Sequence, residues 1–254
     1  MRITGGGGGA SAPTHTQIWD LIKSRQRGQV SIGTSTSVTL SSAALAGVTV
    51  DDGSSNILVD ADGWVYFSSV TSAVTGDDAV HGSSSSFRNA GEGGSYRFGI
   101  LFAFDDITSA RVFMGVTDNS TPASCLGSDD PGIGYAGLHY STDRGDTLDT
   151  AQLILRTALA GSQAKTDDVV AFTADTRYFL EITVLGASSA MVSVQLQLYT
   201  HAADGSLTSV YDTGTTAHIM TGSRLHWDVG IECRSAVLRE LRFYGTTFEH
   251  GPLL

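Results

Sequence analysis

In the stretch MVSVQLQLYT, Val192, Val194, Leu196 and Leu198 alternate without a fault with Ser193, Gln195 and Gln197. A period of two puts every apolar residue on one face of an extended strand. Wound as a helix, the same set would scatter around the axis and bury nothing coherently. The pattern recurs. GSYRFGILFAFDD aligns Tyr96, Phe98, Ile100, Phe102 and Phe104, and ARVFMGVTD aligns Val112, Met114 and Val116. RYFLEITVLG sets Tyr178, Leu180, Ile182 and Val184 against Arg177, Glu181 and Thr183. RLHWDVGIEC sets Leu225, Trp227, Val229 and Ile231 against Arg224, His226, Asp228 and Glu232. These runs predict antiparallel strands with one face in a core, Trp227 included, and the other face wet.

The breaks between runs are turn chemistry. Asp105-Asp106, Asn119-Ser120, Asp130-Pro131-Gly132, Asp143-Arg144-Gly145 and Asp204-Gly205 suit tight reversals, the last as a hairpin. Pro13, Pro122, Pro131 and Pro252 all avoid the expected strands. Strands without interleaved helices predict an all-β antiparallel sandwich. Ahead of it, Gly5 to Gly9 open a loose arm, and Ile18, Leu21, Ile22 and Arg25 share one face of a short helix over Thr16 to Gln26. So short a helix must dock, either on the chain's own β-domain or on a neighbouring molecule. The expected organisation is an arm and docking helix over 1–27, a small β-rich section over 28–75, and the sandwich over 76–254.

Charge narrows the partners. The formal net charge is -11, with Lys23 and Lys165 the only lysines. Lys23, Arg25 and Arg27 make too short a cluster to track a phosphate backbone, so no nucleic acid is expected. Neither a signal-type apolar segment nor a membrane span is read; Phe98 to Phe104 is strand-sized. Cys125 and Cys233 lack metal-ligand spacing and read as free thiols, with one disulfide as the alternative.

Catalytic signatures are sparse. A glycosidase needs two facing carboxylates. Of Glu92, Glu181, Glu232, Glu240 and Glu249, only Glu181, Glu232 and Glu240 lie in or beside expected strands where one face can gather them. No G-x-S-x-G elbow occurs. His15, His81, His139, His201, His218, His226 and His250 form no zinc pair. The expectation is no enzyme, no catalytic residues and no cofactor. Calcium is the one metal weighed, at Asp60 and Asp62 or at Asp129 and Asp130, although both pairs also suit ordinary turns. Trp64, Tyr135, His139, Tyr140 and His226 are the aromatic candidates for sugar stacking, although core packing is the favoured reading for most of them.

From Gly94 to Glu249 the order of runs carries a resemblance: RFGILFAF, RVFMGVTDNS, GIGYAGLHYSTDRGDT, DTRYFLEITV, the hairpin MVSVQLQLYTHAADGSLTSVYDTG and the closing pair LHWDVGIECRSAVLRELRFYGTTFE. It resembles the concanavalin-like jelly rolls of tailed-phage tail fibres, baseplate adhesins and head fibres, without the lectins' aspartate-asparagine metal loop. The resemblance implies a virion structural protein at the tail fibre or baseplate. Such a protein is anchored to other virion proteins through residues 1–27, is commonly trimeric, and contacts host-surface polysaccharide. Head decoration is an alternative; so is a free lectin or carbohydrate-active enzyme of the same fold.

Overall fold

The computed structural model describes residues 37–40, 49–51, 54–76, 78–82, 88–89, 95–117, 126, 135–143, 151–156, 163–170, 172–186, 192–214, 216–218 and 224–251. The arm, the docking helix, Cys125, Asp129 and Asp130 lie outside them. All of the described regular structure is β, in strands numbered β1 to β17 along the chain.

Two antiparallel sheets are formed. The first runs in the order β1 (Ser37–Leu40), β3 (Ser54–Val59), β4 (Val65–Val70), β17 (Glu240–Gly251), β7 (Ser95–Phe104), β12 (Tyr178–Gly186), β13 (Val192–His201) and β14 (Leu207–Asp212), with β15 (Thr216–His218) also on β13. The second runs β11 (Gln163–Val170), β10 (Ala151–Arg156), β9 (Tyr135–Ser141), β8 (Ala110–Thr117), β16 (Arg224–Cys233), β5 (Asp78–Gly82) and β2 (Thr49–Asp51), with β6 (Arg88–Asn89) also on β16. The chain thus crosses between the sheets several times: β7 lies in the first, β8 to β11 in the second, β12 to β15 in the first, β16 in the second and β17 in the first. Strands from the 28–75 stretch join both sheets, β3 and β4 extending the first and β2 the second.

The core lies between the sheets and is filled by the alternating residues. Phe98, Ile100, Phe102, Leu180, Ile182, Leu196, Leu198 and Phe243 from the first sheet meet Val112, Met114, Val116, Leu138, Tyr140, Trp227, Val229 and Ile231 from the second. Trp227 stacks on Phe243 with ring centroids 5.6 Å apart. The hairpin at Asp204-Gly205 forms as expected: β13 and β14 pair, Ala202 N–H donates to Ser206 C=O, and Gly205 takes a φ of 87° that a side chain would resist.

One expectation is corrected. The faces turned away from this core are not uniformly wet: Arg177, Glu181, Thr183, His226, Asp228 and Glu232 are all buried. Each sheet carries a second packed layer on its outer face, with Val80, Phe113, Leu126 and Tyr135 on the second sheet and Trp64, Leu101 and Phe179 on the first. On the first sheet this forces Gly99 to be glycine, because a Cβ there would stand 2.3 Å from the Phe179 ring and 2.5 Å from Thr247 Oγ1. Cys233 is a buried free thiol.

Candidate functional site

The outer face of the second sheet gathers chemistry that alternation alone does not reveal. Strand pairing places His226 beside Thr117 and Tyr135, Asp228 beside Gly115 and Gly137, Gly230 beside Phe113 and His139, and Glu232 beside Arg111 and Ser141. Directly paired residues on one face have Cβ atoms ~5 Å apart. Two histidines, a tyrosine and a carboxylic acid therefore surround a glycine pair, and all four are no more than 4% exposed. Burying so many polar groups outside the main core is costly unless each is satisfied.

The glycines are required. A Cβ on Gly115 would lie 2.3 Å from Ala136 O, and one on Gly137 2.2 Å from Met114 O. They leave a strip without side chains between Asp228 and the ends of β9. Over that strip Tyr135 and His139 converge. Their Cα atoms are four positions apart on an extended strand, ~13 Å, yet the ring centroids approach to 6.5 Å. Phe113 wedges edge-on against Tyr135 at 5.5 Å. Asp228 has no cation opposite it in the pairing, and burial pushes its carboxyl up to about 8. At neutral pH it is largely protonated and can donate a hydrogen bond.

Arg111 closes one end of this face. It donates to Leu126 C=O at 2.6 Å, to Glu232 Oε2 at 3.2 Å and to Asp143 Oδ2 at 3.4 Å. Arg234 bonds the same Glu232, at 2.5 Å, and the same Asp143. Leu126 is buried against Val80, Phe113 and Tyr135 on this face, with its carbonyl held by Arg111.

Sequence reasoning picked three members of this cluster, Tyr135, His139 and His226, and the structure brings them together. Tyr140 points the other way, into the main core, and Trp64 is buried on the first sheet with Leu101 and Phe179. Glu181, Glu232 and Glu240 do not assemble. Glu232 is bound up with Arg111 and Arg234 on the second sheet, whereas Glu181 and Glu240 lie on β12 and β17 of the first. Seven residues of strand, ~23 Å, separate Glu240 from Thr247, which is level with Gly99 and Glu181. His81, His218 and His250 are on β5, β15 and β17. Asp228 and the glycine pair were missed. Their signal was a glycine interrupting two otherwise regular strand patterns, RVFMGVT and YAGLHYS.

Asp60 and Asp62, weighed for calcium beside an ordinary turn, meet a different cation. Arg177 donates from Nη1 to Asp60 Oδ2 and from Nη2 to Asp62 Oδ2, both at 2.7 Å. Asp60 Oδ1 takes the Asp62 and Trp64 N–H groups. Asp60 is spent on the arginine clamp and the turn, Asp62 gives one oxygen to the clamp, and no metal-binding cluster occurs among the described residues.

No protein-family model and no curated protein matches the sequence. Solved structures do match in fold. An endo-β-1,4-glucuronan lyase from Trichoderma reesei superposes with a TM-score of 0.55 at 10% identity, covering 85% of this chain and 96% of the lyase. The carbohydrate recognition domain of Emp47p gives 0.52 at 9% identity, covering 86% and 96%. A protein of unknown function from Shewanella oneidensis gives 0.50 at 14% identity, covering 93% and 96%. The fold is therefore the concanavalin-like jelly roll, as expected. The expectation of a non-catalytic scaffold is corrected. It rested on the absence of familiar motifs from a sandwich, and a polysaccharide lyase built on the same sandwich removes that ground.

Proposed function

We propose that this chain is a carbohydrate-active protein that cleaves a uronate-containing polysaccharide at the Tyr135–His139–His226–Asp228 cluster. The observation that carries the reading is the convergence of Tyr135 and His139 over the Gly115–Gly137 strip, rings 6.5 Å apart, with a protonated carboxyl alongside. β-Elimination needs three things: a base for the proton next to the uronate carboxyl, an acid for the departing glycosidic oxygen, and a donor that stabilises the charge building on that carboxyl. His139 serves as base, Tyr135 as acid, and neutral Asp228 as donor. Base and acid approach from one side of the sugar because both leave the same face of β9. The lyase and the carbohydrate recognition domain among the fold neighbours support this class of function by analogy of scaffold.

Binding without cleavage is the second reading. Arg111 favours it, because its guanidinium is committed to Glu232, Asp143 and the Leu126 carbonyl rather than presented to a substrate carboxylate. Incubating the purified chain with glucuronan, alginate and neutral glucans separates the two. Appearance of the unsaturated uronate chromophore with shortening chains supports the lyase; retention of polymer without shortening supports the binder. Attachment to a particle through residues 1–27, trimer formation and the virion setting rest on the sequence resemblance alone. Recovery of the intact chain, but not of a chain lacking residues 1–27, in purified particles tests them.

A further inference from the structure

The first sheet carries an open pocket of about 330 Å³ on its outer face, on the opposite side of the sandwich from the acid–base cluster. Its walls come from the turn after β3, the loop before β12, the end of β13 and a bulge in β17. The bulge matters: Phe243 pairs with Phe102 and Gly245 with Leu101, so Tyr244 is the extra residue, swung outward over the pocket. There its hydroxyl donates to Asp60 Oδ2 at 3.2 Å.

The lining alternates in charge. Arg177 is fixed by Asp60 and Asp62, and Arg242 by Asp175 at 2.6 Å and by Glu240 at 2.9 Å. The Arg177 guanidinium also lies 5.3 Å from the Trp64 ring centre and 6.0 Å from that of Tyr244. These donors are pre-oriented and lose little freedom on binding. Two carboxylates still face solvent, Asp62 with a side chain 45% exposed and Asp175 with one 65% exposed. Each uses one oxygen on its arginine and keeps the other for a ligand.

We infer that this pocket is a second carbohydrate site, and that it takes a neutral sugar unit rather than a uronate. Its volume falls in the small-ligand range. A guanidinium and a carboxylate side by side match adjacent sugar hydroxyls, one accepting from the arginine and the other donating to the carboxylate. Tyr244 supplies an apolar flank for the ring's C–H groups. Three lining carboxylates, Asp60, Asp62 and Asp175, face two arginines and His201, and because the exposed charges at the rim are the carboxylates Asp62 and Asp175, a uronate is disfavoured there. The site does not depend on the cluster of the second sheet.

The test is calorimetric titration of the full chain with neutral oligosaccharides of the gluco, manno and galacto series, and with glucuronate oligosaccharides of equal length. At least one neutral series saturates, and Asp62→Asn and Asp175→Asn each weaken it about five-fold or more, the loss of one hydrogen bond. Asparagine tolerates the left-handed φ of 59° at residue 175, and because Asp62 and Asp175 each hold an arginine, a lowered but still cooperative melting transition well above the titration temperature confirms that the fold is intact. The inference is overturned if no neutral series binds, if glucuronate oligosaccharides bind as well or better, or if both Asp variants bind like the parent.

Discussion

Asp228 stands directly across from Gly115 where β16 pairs with β8. The strand position that would carry a neutralising side chain carries none, and burial alone lifts the Asp228 carboxyl to about 8. The group follows the logic of a carboxylic acid kept protonated at neutral pH by burial.

Stability against pH reads this directly. The folded protein holds the Asp228 proton up to about pH 8, whereas the unfolded chain releases it near the ordinary aspartate value. Between those limits the unfolded state binds fewer protons, so this group lowers stability as pH rises, and its effect levels off above about 8. Asp228→Asn removes the penalty. The difference in unfolding free energy between variant and parent grows from near zero at pH 4 to on the order of 5 kcal/mol at pH 8, measured by urea denaturation across pH. A constant difference contradicts the assignment.

The glycine pair is structural as well as permissive. Gly115→Ala and Gly137→Ala each push a methyl into the facing backbone, at 2.3 Å from Ala136 O and 2.2 Å from Met114 O. Each is expected to cost about 1–3 kcal/mol, read from denaturant midpoints.

The arginine clamp on the other sheet is expected to be a strong stabiliser, because Arg177 and Asp60 are well shielded and its two bonds are both 2.7 Å. Arg177→Met leaves Asp60 without its cation and costs about 2–4 kcal/mol. Arg177→Lys recovers only part, since an ammonium lacks the fork that spans two carboxylates. Equal stability of parent and Arg177→Met sinks this account of the clamp.

Tyr244 is expected to resist ionisation. Burial raises its phenol, and the neighbouring Asp60 carboxylate adds to the rise. In an absorbance titration it ionises only together with alkaline unfolding. Tyr244→Phe removes one tyrosine from that late phase and none from the early one.

Much of the sandwich was legible because alternation is a local signal. Val192 to Leu198 and Trp227 to Ile231 declare their core face without any knowledge of their partners. The second layer of burial was not legible, because it depends on what lies over a sheet. Nothing in RLHWDVGIEC says that His226 and Asp228 will be covered. The Arg177 clamp on Asp60 and Asp62 spans more than a hundred residues and mimics a cation site when read locally. Tyr135, His139 and His226 were found as isolated aromatics, but their meeting with Asp228 follows from the β8–β9–β16 register, which no single strand specifies.

The most direct test of the acid–base cluster is cleavage of glucuronan and alginate by the purified full chain, followed by the absorbance of the unsaturated uronate, with His139→Ala and Tyr135→Phe alongside. The account predicts product from at least one polymer, falling about a hundred-fold or more in each variant, while the melting temperature of Tyr135→Phe stays near that of the parent. No unsaturated product from either polymer, or undiminished product from both variants, contradicts it.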